Sequence, residues 1–221
     1  MKRVCIFDLD GTLTDTLESI TYCVNLTLQE LGLPEITREQ CRAFVGNGAR
    51  FLIEESLRAA GDTEISQIER AMEVYGRIFG RHCTYRVEPY EGIEDLLADL
   101  KSQGLKLAVL SNKPDAQTKD VVAKFFGSDI FNYIQGQCEG IPRKPDPAAA
   151  QWIAKEFGVD TEECIYIGDS EVDMLTARAA GMESVGVTWG FRTEEVLQKH
   201  GATHIIHHPR ELLTIIREKG V

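Results

Sequence analysis

The chain has 221 residues, 43 % of them hydrophobic, enough to bury a sizeable core in one large domain or two small ones. Its formal net charge of −11 argues against nucleic acid as a partner, because most of the surface would repel phosphates. A small anion stays admissible, since local cations and amides outweigh a diffuse field that salt screens within about 8 Å.

Val4-Cys5-Ile6-Phe7 has no polar break and reads as a strand buried on both faces of a parallel sheet. Asp8 comes too early for a secretory apolar segment, and no stretch approaches the roughly 20 apolar residues that cross a bilayer. The expected location is therefore the cytoplasm, with no membrane partner. From Asp15 to Arg86 three helical stripes follow: Leu17, Ile20, Val24, Leu28 and Leu31; Phe51 to Leu57; and Ile68, Met72, Tyr75 and Phe79. No convincing strand separates them, which predicts a helical insert of about 70 residues directly after the first strand. Ile93, Leu96, Leu97 and Leu100 fall at helical spacing, with Gly104 as a stop. Thereafter apolar runs alternate with helical patterns: Leu105 to Leu110, then Asp115 to Phe126; Cys164 to Ile167, then Val172 to Ala180; Ser184 to Val187, then Glu194 to Lys199. His204 to Ile206 reads as a last short strand and Glu211 to Lys219 as a closing helix. This rhythm predicts the α/β class, a Rossmann-like parallel sheet flanked by helices over residues 1–14 plus 87–221, with residues 15–86 as an inserted all-helical domain. Thr14-Asp15-Thr16 and Val87 to Gly92 would be the hinges. Six cysteines at 5, 23, 41, 83, 138 and 164 form no Cys-x-x-Cys pair, so reduced core thiols are expected rather than zinc ligands or disulfides.

Polar clusters stand at the ends of these strands, where open α/β sheets bind ligands. Asp8 and Asp10 follow the first strand, Ser111-Asn112 follow Leu107 to Leu110, Lys144 lies in Arg-Lys-Pro-Asp-Pro, and Gly168-Asp169-Ser170-Glu171-Val172-Asp173 follow Ile165 to Ile167. Taken singly, each has a plainer reading: a lone aspartate can cap a turn, Ser111 or Asp169-Ser170 can cap the next helix, and Lys144 can be a solvated charge. Asp173 is the member most easily explained as purely structural.

Together, in this order, the four clusters resemble the haloacid dehalogenase superfamily of aspartate-nucleophile phosphotransferases, over nearly the whole chain. The resemblance implies Asp8 as the nucleophile, Asp10 as the general acid and then base, and Lys144 as a fixed positive charge toward Asp8 and the phosphoryl group. It implies a small helical cap for the insert. A carboxylate attacking a dianionic phosphate meets charge repulsion, and Asp8, Asp169 and the main-chain carbonyl of Asp10 offer an oxygen-rich site for Mg²⁺, with Asp173 beside it or acting through water. Ser111 and Asn112 would donate to the substrate, and the amides of Leu9, Asp10 and Gly11 would cradle phosphoryl oxygens.

Phe44-Val45-Gly46-Asn47-Gly48-Ala49-Arg50 resembles the specificity loop of phosphoglycolate phosphatases, which implies substrate contacts from Asn47, Gly48 and Arg50; the alternative is an ordinary glycine-containing turn capped by Asn47. Trp189-Gly190-Phe191-Arg192 resembles the loop after the fifth core strand of those enzymes. The segment Asp15 to Tyr85 contains no lysine, which argues against relatives that use a cap lysine as a Schiff base. The expectation is thus a Mg²⁺-dependent phosphatase for a small phosphorylated metabolite, 2-phosphoglycolate first, acting as monomer or homodimer. A β-phosphoglucomutase-like isomerase, a pyrophosphatase and a non-catalytic phospho-ligand binder are the alternatives.

Overall fold

The computed structural model describes residues 1–218. Its first elements are β1 (Val4–Phe7), β2 (Thr14–Asp15), α1 (Leu17–Glu30), α2 (Arg38–Phe44), α3 (Ala49–Ala59), α4 (Ile68–His82), β3 (Glu88–Pro89) and α5 (Ile93–Ser102). There follow β4 (Lys106–Pro114), α6 (Asp115–Phe126), β5 (Tyr133–Gln137), α7 (Ala148–Glu156), β6 (Cys164–Gly168), α8 (Glu171–Ala180), β7 (Glu183–Val187), α9 (Glu194–Lys199), β8 (His204–Ile206) and α10 (Glu211–Glu218).

Six strands make one parallel sheet in the order β5-β4-β1-β6-β7-β8, with β1 near the centre. Period-two alternation divides the strand side chains between two cores. Cys5, Phe7, Leu107, Val109, Ile165 and Ile167 pack under α5, α6 and α10. Val4, Ile6, Ala108, Leu110, Cys164 and Tyr166 pack under α7 and α8. The apolar run Val4 to Phe7 is thus apolar throughout because both of its faces are covered. The register pairs Phe7 with Val109 on one side and Ile167 on the other, so Asp8, Ser111 and Asp169 leave the sheet at one edge.

Between the first strand and β3, helices α1 to α4 bury a cluster of their own, including Ile20, Val24, Leu28, Leu52, Leu57, Val74 and the stacked pair Tyr75–Phe79, with ring centroids 5.0 Å apart. Their two connections to the sheet run side by side as the antiparallel pair β2–β3, Thr14 opposite Pro89 and Asp15 opposite Glu88. No helix among the described residues is long and apolar enough to cross a membrane. The six cysteines are free; five are buried, and burial pushes the thiols of Cys41 and Cys164 up to about 11.

The structure differs from the sequence reading in a few elements, each for a local reason. Helix α2 was not anticipated, although Thr37 and Gln40 form a reciprocal cap whose Thr-x-x-Gln spacing is visible in the chain. Strand β5, Tyr-Ile-Gln-Gly-Gln, lacks an apolar run because it is an edge strand with one neighbour. Helix α7 starts where Asp146 accepts from the Ala148 N–H. Strand β4 runs on to Pro114, so Ser111 and Asn112 lie within it rather than after it. Lys219, expected in the closing helix, lies outside the described residues.

Candidate active site

The N–H of Asp8 donates to the Ile167 carbonyl (2.9 Å), which ties the residue after β1 to its neighbour β6. Lys144 Nζ lies 3.0 Å from Asp8 Oδ1 and 2.7 Å from Asp173 Oδ1, on a side chain 3 % exposed. Burial works against the ammonium, but Asp173 and Asp8 outweigh it and hold Lys144 well above the usual lysine range. Its loop is fixed by Asn112: Oδ1 accepts from the Lys144 N–H (2.9 Å), and Nδ2 donates to the Lys144 carbonyl (3.0 Å).

Asp173 is the third residue of α8 and closes its cap. Its Oδ2 accepts from Ser170 Oγ (2.6 Å) and from the Ser170 N–H (3.1 Å), leaving Oδ1 for Lys144. Capping and positioning are therefore one arrangement, and Asp173 serves the site through Lys144. Asp169 accepts from Thr12 Oγ1 (3.3 Å) at Oδ1 and from the Phe191 N–H (2.7 Å) at Oδ2. Two glycines let it sit so close to the backbone. A Cβ on Gly11, whose φ is +86°, would lie 2.3 Å from Asp169 Oδ2, and one on Gly190 would lie 2.3 Å from Asp169 Cβ and 2.4 Å from the Gly11 carbonyl.

Asp8, Asp169 and Asp173 are buried with carboxylate oxygens within 4.8 Å of one another. Burial, the neighbouring Asp173 and the neighbouring Asp10 push the Asp8 carboxyl up to about 7, with Lys144 pulling the other way. Burial, then Asp173 and Asp8, hold Asp169 well above the usual carboxylate range. Asp8 Oδ1 accepts no well-directed hydrogen bond despite the nearby Lys144. An incompletely satisfied, carboxylate-rich oxygen site of this kind fits a hard divalent cation. Asp173 is neutralised by the Lys144 ammonium, whereas among the described residues Asp169 is held only by the neutral donors Thr12 and Phe191, so Asp8 and Asp169 are the better candidates to ligate.

Asp10 points to another partner: Lys113 Nζ lies 2.8 Å from its Oδ1, on a side chain only 1 % exposed, and 4.8 Å from the Phe79 ring centroid in α4. These groups line a cavity of about 50 Å³. Ser111, Asn112 and Lys113 form its floor with the aspartates; Ile20, Val45, Leu52, Tyr75 and Phe79 of the helical layer form its roof.

Four side chains clasp the roof through main-chain carbonyls. Arg42 donates to the Phe191 (2.7 Å) and Gly190 (2.9 Å) carbonyls, and Arg192 returns to those of Arg42 (2.8 Å) and Val45 (2.7 Å). Asn112 Nδ2 reaches the Gly46 carbonyl (2.9 Å) and Arg143 that of Asn47 (2.8 Å).

The model of the haloacid dehalogenase-like hydrolase family matches residues 5–187. This chain belongs to that family. A phosphoglycolate phosphatase of Colwellia psychrerythraea is 30 % identical over 220 residues, covering 98 % of this chain and 97 % of that one. A solved structure described as a predicted phosphoglycolate phosphatase of Haemophilus somnus superposes with a TM-score of 0.91 at 25 % identity, covering 97 % and 98 % of the two chains. A β-phosphoglucomutase of Clostridium difficile superposes at 0.78 with 25 % identity, covering 99 % and 97 %. As a member of the haloacid dehalogenase-like hydrolases, the protein is an enzyme.

Within this family member, Asp8, Asp10, Ser111, Asn112, Lys144, Asp169 and Asp173 come together at one sheet edge, as their strand-end positions imply. Four of the expected contact residues are engaged elsewhere in this structure. The Gly11 N–H donates to the Thr14 carbonyl (2.9 Å), so it is engaged within the turn and Gly11 serves instead to admit Asp169. Asn112 is a clamp between two loops, with its amide donors on carbonyls. Arg50 lies outside the cavity on the exposed side of α3, paired with Glu54 (3.1 Å) and Glu69 (2.8 Å), because one step along a helix turns a side chain by about 100° away from Ala49. Gly48, not Asn47, caps α3, and Asn47 meets the core through its carbonyl. Lys113 was missed. Ser111 and Lys113 are two apart on a strand and so share a face, which was the available signal.

Proposed function

We propose that the protein is a Mg²⁺-dependent phosphomonoester hydrolase working through an aspartyl-phosphate on Asp8, with 2-phosphoglycolate as first candidate substrate. The observation that carries the reading is the buried group of Asp8, Asp169, Asp173 and Lys144 at the carboxyl edge of the sheet, beside Asp10. An Asp8 oxygen attacks phosphorus in line with the leaving oxygen; the bond from phosphorus to that oxygen breaks, and the leaving alkoxide takes a proton from Asp10. Asp10, now ionised, draws a proton from water. The water oxygen bonds to phosphorus, the Asp8–phosphorus bond breaks, and inorganic phosphate leaves. Lys144 holds positive charge beside the Asp8 carboxylate, and Ser111 Oγ and the amides of Leu9 and Asp10 are the neutral groups assigned to the phosphoryl oxygens. Asp8, Asp169 and the Asp10 carbonyl would hold the ion, which when bound supplies the charge that lets an anionic carboxylate approach an anionic phosphate.

Residues 15–86 act as a cap that excludes water from the reaction, with the paired strands β2 and β3 as its hinge. The relative named phosphoglycolate phosphatase, 30 % identical over 98 % of this chain, supports a small metabolite over a phosphosugar, and so hydrolysis over mutase chemistry. A cytoplasmic enzyme, monomeric or homodimeric, is the accompanying reading. Phosphate release from a panel of small esters and pyrophosphate, with Mg²⁺ or with EDTA, tests it. Release that needs Mg²⁺ and disappears in Asp8→Asn supports it; an isomerised product without release favours the mutase, and ligand binding without turnover a silent binder.

A further inference from the structure

We infer that Lys113 is the specificity residue of this site, receiving a second anionic group, a carboxylate one or two carbons from the phosphate. The inference rests on the phosphatase reading above and names the substrate class within it.

Three observations converge on Lys113. First, among the described residues it is the side-chain cation at the cavity with the fewest oxygen partners. Lys144 is engaged by Asp8 and Asp173, and Arg192 by Glu171 (2.9 Å) and main-chain carbonyls. Lys113 Nζ has three N–H donors, and among the described residues its only oxygen partner is Asp10 Oδ1. Second, it belongs to β4, the strand paired with β1, and so is carried by the sheet rather than by the helical layer, in a stretch between Leu110 and Pro114 where the pairing with β5 shifts register. Third, its surroundings on the roof side are uncharged and mostly apolar, with Tyr75 carrying the one hydroxyl among the roof side chains named above. The ammonium rests over Phe79, and Ile20, Val45 and Leu52 offer a tail no hydrogen-bonding group.

These facts give a physical basis for choosing between tails. A carboxylate beside Nζ provides a buried ammonium with a second counter-charge. It also competes with Lys113 for Asp10, freeing that carboxyl to face the leaving oxygen. A neutral tail does neither: it brings no counter-charge to Nζ and leaves the Lys113–Asp10 pair intact. Hydrogen bonds to charged groups are worth about 1.5–3 kcal/mol, equivalent to about 10- to 100-fold in discrimination. The substrate contact expected of Arg50 is replaced by this one, from the floor of the cavity rather than its roof.

The test uses the full chain with Mg²⁺ and two esters of similar size, 2-phosphoglycolate and 2-hydroxyethyl phosphate. Wild type should favour the acidic ester by about 10- to 100-fold in kcat/KM. Lys113→Met, which keeps length and removes charge, should erase most of that preference through KM for the acidic ester, and Lys113→Arg should restore part of it. Equal losses on both esters would overturn the inference, leaving Lys113 as a support for Asp10 alone. A wild type that hydrolyses both without preference would overturn it too, and needs no variant to fold. Should wild type release phosphate from neither ester nor from the wider panel, the phosphatase reading itself falls and takes this one with it.

Discussion

Asp173→Asn changes one atom type at a position that has no contact with solvent, and its consequence follows from three distances. Asp173 is 0 % exposed; Oδ1 meets Lys144 Nζ at 2.7 Å, and Oδ2 meets Ser170 Oγ at 2.6 Å and the Ser170 N–H at 3.1 Å. Every partner is a donor. Asparagine offers one carbonyl and one amide, so its NH₂ must face either the ammonium or the Ser170 donors. Breaking a buried ion pair by removing one partner costs about 3–5 kcal/mol. In a chain of this size about 1 kcal/mol shifts Tm by roughly 2–4 °C, so the expected fall is roughly 6–20 °C. An opposing effect has a known sign: Asp173 raises both Asp8 and Asp169, so removing its charge relieves repulsion when no cation is present. The destabilisation should therefore be larger with Mg²⁺ than with EDTA. Thermal unfolding in both buffers, with phosphate release measured alongside, is the assay. Ser170→Ala, which loses only the cap, serves as the reference at about 1 kcal/mol. A Tm within about 2 °C of wild type in both buffers, with unaltered turnover, would refute the claim that Asp173 holds Lys144 in place.

Gly190→Ala should abolish Mg²⁺-dependent turnover, because its methyl would stand 2.3 Å from Asp169 Cβ and 2.4 Å from the backbone oxygen of Gly11; near-normal Mg²⁺ affinity by calorimetry would contradict this. Arg50→Ala should leave the ranking of substrates unchanged, since its guanidinium pairs with Glu54 and Glu69 on the exposed face of α3; a reordered ranking in the ester panel would put Arg50 back at the substrate. The metal-free protein should lose stability as pH rises from about 4 to 7. Asp8 titrates near 7 in the fold against 3.8 unfolded, so over that window the native state holds the extra proton, and ionising the buried group removes stability that is fully present below 3.8. Mg²⁺, binding the ionised form, should offset the loss, and Tm curves with and without Mg²⁺ that stay parallel across this range would contradict it.

Much of this architecture is written in local pattern. The uninterrupted run Val4 to Phe7 means a strand covered on both faces, and strands of a parallel sheet all end at the same edge. Residues at strand ends could therefore be grouped without coordinates: Asp8, Ser111 and Asp169 are brought together by register alone, from positions up to 161 residues apart. Strand β5 escaped because an edge strand with glutamines and a glycine carries no apolar signature, and α2 because its seven residues bury only Cys41.

What sequence could not decide is which partner each polar group takes. Asn112 looks like a substrate donor until Lys144 and Gly46 are seen to occupy its amide, and Gly11 looks like an anion cradle until Thr14 takes its N–H. Arg50 and Arg192 are both arginines beside glycine-containing loops. One is turned outward to glutamates and the other inward to bind the roof, a difference set by helix phase and chain crossing over 142 residues. Composition and periodicity determine which side chains are buried and at which edge, since hydrophobic burial depends on pattern alone. Hydrogen bonds and ion pairs depend on direction and on distances of a few ångströms, so the pairing of Lys113 with Asp10, and of Lys144 with Asp8 and Asp173, was decided only by the tertiary structure.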